Sequence, residues 1–450
     1  MTNKLIQNIT ASTNPQKQDL FSDGMSADEL LQEEARNLPA GYIKTTEEEL
    51  TKDNHIYNIS FSAKLDAKLR NEVVIFYVVD EGGKYRVRAF NSIQEMLDIG
   101  DNDPPTLPIS FSLQMQGKDQ KEQLRKLRDF PGVMRLYSQK RPEARQLIKW
   151  LIYLQKKLKS FQQQLSYVII NDKTNLEIPW EMLQWQEKNE ENQKTFHYLG
   201  ASFITVRWQD IDNPECWDEN NNLLNLEFKR EDCSGDIVAY TNTALNNVKE
   251  EILTLNQFNA TCHDNPHKFL NYLEQVRSRI SLVYIASHGF FDEDIYQTSI
   301  GEENRKNQIS LKRINKYDFD CFKACPSIVF LNACHSGRLG KDNMMSQNYR
   351  TGFATFFLER GAKGVIGTLG KVLDQYAVKV SNNFFEEYQR CPELSVAAIF
   401  RNMRKQVAEI YRKRKDDETE RLFLFTFMYI YYGNPMTVLR FPQTGGQTNV

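Results

Sequence analysis

What this 450-residue sequence lacks narrows its function before any motif is read. It has no long apolar run: Leu422 to Tyr432, the longest, is about half of the roughly 20 residues that cross a bilayer, and Thr426 interrupts it. No membrane partner is expected. Neither charge sign is in excess, with 57 Lys and Arg against 59 Asp and Glu, which removes a global electrostatic case for nucleic acid or an anionic membrane surface. The seven cysteines are few, odd in number and scattered, so reduced thiols rather than a disulfide framework are expected. Cys262, His263 and His267 lie close together, but no second ligand pair at zinc-like spacing accompanies them, so no metal and no cofactor are expected. Also missing are a phosphate loop and any repeat of 20 to 50 residues. The first 14 residues have no apolar stretch suited to a secretory signal, so the expected compartment is the cytoplasm.

What is present is ample core material, 40% hydrophobic and 12% aromatic, in a chain long enough for two or three domains. Residues 1–40 are polar and read as a mobile arm, and 443–450 as a flexible tail. Residues 41–125 read as a small N-terminal domain with strands at Tyr57 to Phe61, Val73 to Val79 and Tyr85 to Phe90. Gly82 and Gly83 supply the tight turn of a β-hairpin between the last two. Past a boundary near Lys126, Pro142 opens a helix with Leu147, Trp150, Leu151, Leu154 and Leu158 on one face. From Ser166 onward, short apolar strands alternate with helical patterns: Tyr167 to Ile170, Phe203 to Val206, Ile237 to Tyr240, Ser281 to Ala286, Ser327 to Leu331, Gly364 to Thr368 and Phe425 to Tyr431. That alternation predicts an α/β sandwich around a mainly parallel sheet, spanning 126–442. The basic runs Lys121 to Arg128 and Arg401 to Lys415 sit beside acidic residues and read as solvated helix faces, so no direct nucleic-acid contact is expected.

In such sheets functional groups gather where strands end. The strand Ser281 to Ala286 runs into Ser287, His288 and Gly289, and Ser327 to Leu331 runs into Asn332, Ala333, Cys334, His335, Ser336 and Gly337. Neighbouring strands would bring an imidazole and a thiol to one edge. A cysteine hydrolase needs that pair: a thiolate to attack a carbonyl, and a base that returns the proton to the leaving amine. Gly289, with no side chain, and Cys334 itself offer backbone N–H groups to an oxyanion. His335 is a tempting alternative base, but adjacent side chains on an extended backbone project to opposite sides, so it reads as a pocket or surface residue.

The segments VYIASHG (Val283 to Gly289) and VFLNACHSG (Val329 to Gly337) resemble the two catalytic strand ends of clan CD cysteine peptidases, which include caspases, separases and gingipains. The match is closest to the CHAT branch. IPWEML (Ile178 to Leu183), GAKGVIGTL (Gly361 to Leu369) and Gly433, Asn434, Pro435 resemble further motifs of that group. The resemblance covers roughly residues 130 to 440. It departs after Leu369, where Gly370 and Lys371 replace the usual Trp-Pro or Trp-Asp.

The resemblance implies a caspase-like three-layer sandwich, a His288 and Cys334 dyad, and an oxyanion hole at Gly289 and Cys334. It further implies an endopeptidase that cuts a specific protein partner, encoded nearby, in bacterial defence or cell death, with an activator docking on residues 41–125. Asp374, on the loop after Leu369, would by the same resemblance read a basic residue before the scissile bond. It equally suits the N-cap of the helical stretch that follows. Two other classes compete: a catalytically silent scaffold or signalling adaptor, and a thiol hydrolase or transferase acting on small amides.

Overall fold

The computed structural model describes residues 42–44, 72–81, 83–91, 95–102, 131–174, 178–188, 194–209, 229–342, 350–414 and 416–442. The expected strand Tyr57 to Phe61, the arm 1–40 and the tail 443–450 lie outside them. One sheet organises the described chain. Its strands are β1 (Tyr42–Lys44), β2 (Val73–Glu81), β3 (Lys84–Asn91), β4 (Glu95–Asn102), β5 (Tyr167–Asp172), β6 (Ile204–Arg207), β7 (Asp236–Thr241), β8 (Thr261–His263), β9 (Ile280–Ala286), β10 (Ile328–Asn332), β11 (Gly364–Thr368) and β12 (Tyr429–Gly433). Their spatial order is β1-β4-β3-β2-β5-β6-β12-β11-β10-β9-β7-β8.

The expected hairpin is present: Glu81 pairs with Lys84 across Gly82 and Gly83, and Gly83 takes the positive φ, 86°, that such a turn needs. The hairpin joins the main sheet, because β2 pairs in parallel with β5 from Val73 against Tyr167 to Val78 against Asp172. Tyr85 also donates to the buried Glu143 at the start of helix α1 (Pro142–Ser160). Sheet and core therefore continue across the expected boundary near residue 126. β4 went unread in the sequence; Leu97 and Ile99 are its buried face.

Helices cover both faces. On one side α2 (Val248–Asn256), α6 (Asp374–Arg390), α7 (Val396–Arg414) and α8 (Asp417–Met428) pack on one another, with Thr254 Oγ1 donating to Asn382 Oδ1 at 2.8 Å. On the other are α3 (Pro266–Gln275), α4 (Asp320–Ala324) and α5 (Phe353–Glu359), joined by Phe322 against Phe357 and by Cys321 Sγ on the Leu273 carbonyl. Strands between two such layers are buried on both faces, and every residue of β9, β10, β11 and β12 is buried. The expectation of a strand at Phe425 to Tyr431 is corrected. Asp416 caps α8 through Thr419 N at 2.8 Å, helix continues to Met428, and the strand begins at Tyr429. A run that is apolar but for one threonine has no clear period to separate helix from strand, and the cap decides it here.

β9, β10 and β11 run parallel, whereas β12 pairs antiparallel to β11 and parallel to β6. This reversal places the C-terminal ends of β9 and β10 on the same sheet edge as the N-terminal ends of β6 and β5.

Candidate active site

β9 and β10 are hydrogen-bonded neighbours, with Ile285 opposite Leu331 and Ala286 opposite Asn332. Each chain runs two residues further to its reactive group, His288 on one side and Cys334 on the other. Adjacent strands are about 4.8 Å apart, so His288 and Cys334 follow neighbouring strands at the same sheet edge. Ser287 N continues the ladder to Asn332 O at 3.3 Å. The contact tightens at Gly289: a Cβ built there would lie 1.8 Å from the Cys334 carbonyl oxygen, so only glycine permits this approach. Residues His288–Phe290 then pair antiparallel with Ser299–Gly301, itself paired with Gln308–Ser310. Asn242 Nδ2 ties this small sheet to the end of β7 at 3.2 Å from Gly301 O.

The turn carrying Cys334 is held from beneath. His335 takes a left-handed φ of 59° and donates its N–H to Gly370 O at 3.0 Å, and Gly337 N donates to Thr368 O at 2.9 Å. Thr368 Oγ1 donates to Ala333 O at 2.7 Å, while Ser336 Oγ donates to Leu331 O at 2.9 Å and accepts from Thr368 N. The small residues of the motif fit this clamp, since a Cβ on Gly367 would stand 2.7 Å from Gly337 N. Among the described residues, Cys334 N–H donates to no other residue. The Cys334 thiol lies 3.4 Å from both the N and the O of Val372. Burial pushes its pKa above the usual thiol value, against the Val372 N–H and the nearby Lys371, which favour the thiolate.

A buried polar network anchors the start of the turn, and the sequence reading did not find it. Asn332 donates through Nδ2 to Glu251, to Tyr284 Oη at 3.0 Å and to Ala377 O, and it accepts through Oδ1 from Tyr429. Tyr284 Oη lies 2.8 Å from both Glu251 Oε1 and Ser381 Oγ. Glu251 is 2% exposed, and burial raises its carboxyl to about 7 against the bonds from Tyr284 and Asn332. Among the described residues no cation contributes to that shift. In sequence Glu251 is one acid on an amphipathic helix, and nothing in its spacing marks it as buried.

Asp374 is the first residue of α6, with Leu373 at the cap position, so it does not cap its own helix. Its Oδ2 instead accepts from Asn247 N at 2.9 Å and Asn247 Nδ2 at 3.1 Å, at the N-cap of α2, and Oδ1 takes no hydrogen bond among the described residues. His335 is a partly exposed neighbour of the thiol. Its Nδ1 is buried with no hydrogen-bond partner among the described residues, and burial, with Arg338 and Lys371, lowers its pKa to about 3. Cys262 and His263 form the edge strand β8, and His267 lies in the first turn of α3.

The upstream motif serves packing rather than chemistry. Glu181 is buried against Arg207 through two bonds, 2.9 and 2.7 Å, and Arg207 also reaches Ile178 O. Trp180 Nε1 donates to Asp172 Oδ2 at 2.9 Å. The Gly433 turn, φ 114°, accepts from Trp208 Nε1 at 3.0 Å.

Residues 141–424 match the family described as the CHAT domain, and this chain belongs to that family. Its fold is an α/β sandwich with a large, mostly parallel central sheet. Among curated proteins, none matches the chain. Among solved structures it is similar to the separase of the Saccharomyces cerevisiae separase-securin complex: 11% identity, TM-score 0.47, covering 92% of this chain and 33% of that one. It is also similar to the Arg-specific cysteine proteinase gingipain R, at 12% identity and TM-score 0.40, covering 64% of this chain and 68% of that one. A complex of RgpB pro- and mature domains from Porphyromonas gingivalis matches at 11% identity and TM-score 0.40, covering 64% and 70%. The chain thus spans about a third of the separase length. Among the described residues, no helix is long and apolar enough to cross a membrane.

Proposed function

We propose that this chain is a cysteine endopeptidase acting on a protein partner through Cys334 and His288. The observation that carries the proposal is the register: both side chains lie two residues beyond the paired positions Ala286 and Asn332, with Gly289 backed onto the Cys334 carbonyl. In this reading His288 takes the thiol proton and Sγ bonds to the carbonyl carbon of the substrate. The displaced electron pair on oxygen is met by the N–H groups of Gly289 and Cys334. Collapse expels the amine, which takes the proton back from His288, and water then hydrolyses the thioester.

The Oδ1 edge of Asp374 supports a preference for Arg or Lys before the cleaved bond, through a charge-assisted hydrogen bond. Residues 41–125 would dock an activator, and the setting would be regulated cutting in bacterial defence or cell death, in the cytoplasm, on a substrate encoded nearby. A fluorogenic peptide library tests the reading: cleavage by the wild type that disappears in Cys334→Ala and His288→Ala supports it.

One observation favours the second reading, a silent scaffold. The Cys334 thiol is engaged by Val372 and its pKa is raised, as for a resting thiol rather than an activated one. Absence of cleavage of every peptide and every co-encoded protein, with and without candidate activators, would decide for the scaffold.

A further inference from the structure

The basic run on α7 does not face open solvent alone. It forms one wall of a cleft of about 980 Å³ closed by the helical residues 131–140, by Thr195 to Tyr198 and by α8. Arg401, Lys405 and Arg412 line it from α7, and Arg135 faces them from the other wall. Among the described residues none of the four is ion-paired with a carboxylate. Arg401 is half-buried, and among the described residues its guanidinium donates only to the neighbouring Asn402 Oδ1, at 2.8 and 3.2 Å. A desolvated guanidinium without a counter-charge favours an incoming anion. Glu409 and Glu420 also line the cleft, which leaves a net excess of two positive charges.

The spacing of the cations identifies the kind of anion. Steps of four and seven residues keep Arg401, Lys405 and Arg412 on one helix face, spread over about 16 Å. A single phosphate is too small to meet a line of that length, whereas carboxylates along an extended peptide, repeating every few ångströms, can. Pro131, Tyr198, Tyr411 and the 39% exposed Phe196 supply the apolar contacts that a peptide's remaining atoms need.

The cleft also shares the sheet edge of the dyad. Gln164, Ala201 and Ser202 lie just before β5 and β6, whose N-terminal ends are on the edge where β9 and β10 finish. From β10 to β5 there are four strand steps, about 19 Å, a distance that some six extended residues cover. We infer that this cleft is a docking site for an acidic peptide segment, one that a protein substrate presents about six or more residues from the bond it offers to Cys334. The link to cleavage rests on the peptidase reading, while the binding site itself does not.

The test is a binding measurement on the full chain carrying Cys334→Ala, so that no turnover is needed. A fluorescein-labelled decapeptide of alternating Glu and Ser is titrated by anisotropy, beside a Lys and Ser counterpart. The inference expects the acidic peptide to bind at least tenfold tighter than the basic one. Combining Arg135→Gln, Lys405→Gln and Arg412→Gln should weaken it roughly tenfold or more, and Lys405→Gln alone by less in the same direction. Unchanged affinity in both variants would overturn it. Equal binding of the Lys peptide, or displacement of the acidic peptide by inorganic phosphate at equal total charge, would overturn it as well. A failure of the peptidase reading shows separately, in the peptide-library assay.

Discussion

Replacing Glu251 by Gln isolates the least conventional feature of the site, a carboxyl buried at the start of the Cys334 turn. Its folded pKa is about 7, against the ordinary 4.5. The folded state therefore holds this proton more tightly than the unfolded chain. Below pH 4.5 both states are protonated and the group makes no difference. Between 4.5 and 7 only the unfolded chain ionises, so stability falls as pH rises, and above 7 the loss is complete and level. The gap corresponds to about 3 kcal/mol. Gln keeps an oxygen for Tyr284 and Asn332 and cannot ionise, so any cost of fitting its amide is the same at every pH. Urea unfolding of both proteins at pH 5, 6, 7 and 8 should show the wild type losing about 2.5 kcal/mol relative to Glu251→Gln across the series, the rest having been lost below pH 5. A difference that stays constant with pH, or a wild type that gains on the variant as pH rises, would refute the reasoning.

Three other outcomes are expected. Arg207→Ala strands the buried Glu181 carboxylate and should cost about 3–5 kcal/mol by chemical denaturation; adding Glu181→Leu should recover part of it, and additive losses would contradict the pairing. Iodoacetamide alkylation of Cys334, followed by mass spectrometry, should rise with pH through a midpoint above that of an ordinary thiol, since burial disfavours the thiolate; a midpoint below about 8 would contradict that assignment. Asp374→Asn should lower kcat/KM on Arg peptides about tenfold or more and leave Ala peptides nearly unchanged, whereas an equal fall on both would assign Asp374 to holding Asn247 alone.

The parts of this molecule that could be read from sequence are those with a local signal. β9, β10 and β11 each carry a short run of apolar or small residues, Leu282 to Ala286, Ile328 to Leu331 and Gly364 to Gly367, and Gly82-Gly83 marks its own turn. His288, Gly289 and Cys334 follow strands directly, so their place at a sheet edge followed from the strand assignments. What escaped depends on distant pairing or on burial. The union of β2 with β5 joins Val73 to Tyr167, and no local pattern encodes it. β4 carries Asp98 and Gly100, which weaken its strand signal. The run Leu422 to Tyr432 is apolar but for Thr426, so the switch from α8 to β12 after Met428 was invisible without the Asp416 cap. Glu251 and the cleft-facing cations of α7 look in sequence like any solvated helix charges, and only packing separates them.

A peptidyl acyloxymethyl ketone ending in Arg, incubated with the folded chain and followed by mass spectrometry of every cysteine peptide, asks directly whether imidazole and sulfur act together. Joint action at the ends of β9 and β10 predicts a single adduct, on Cys334, that forms in the wild type and is lost in His288→Ala. An adduct on the exposed Cys262 or on Cys391 in place of Cys334, or labelling of Cys334 that is indifferent to His288→Ala, would contradict it.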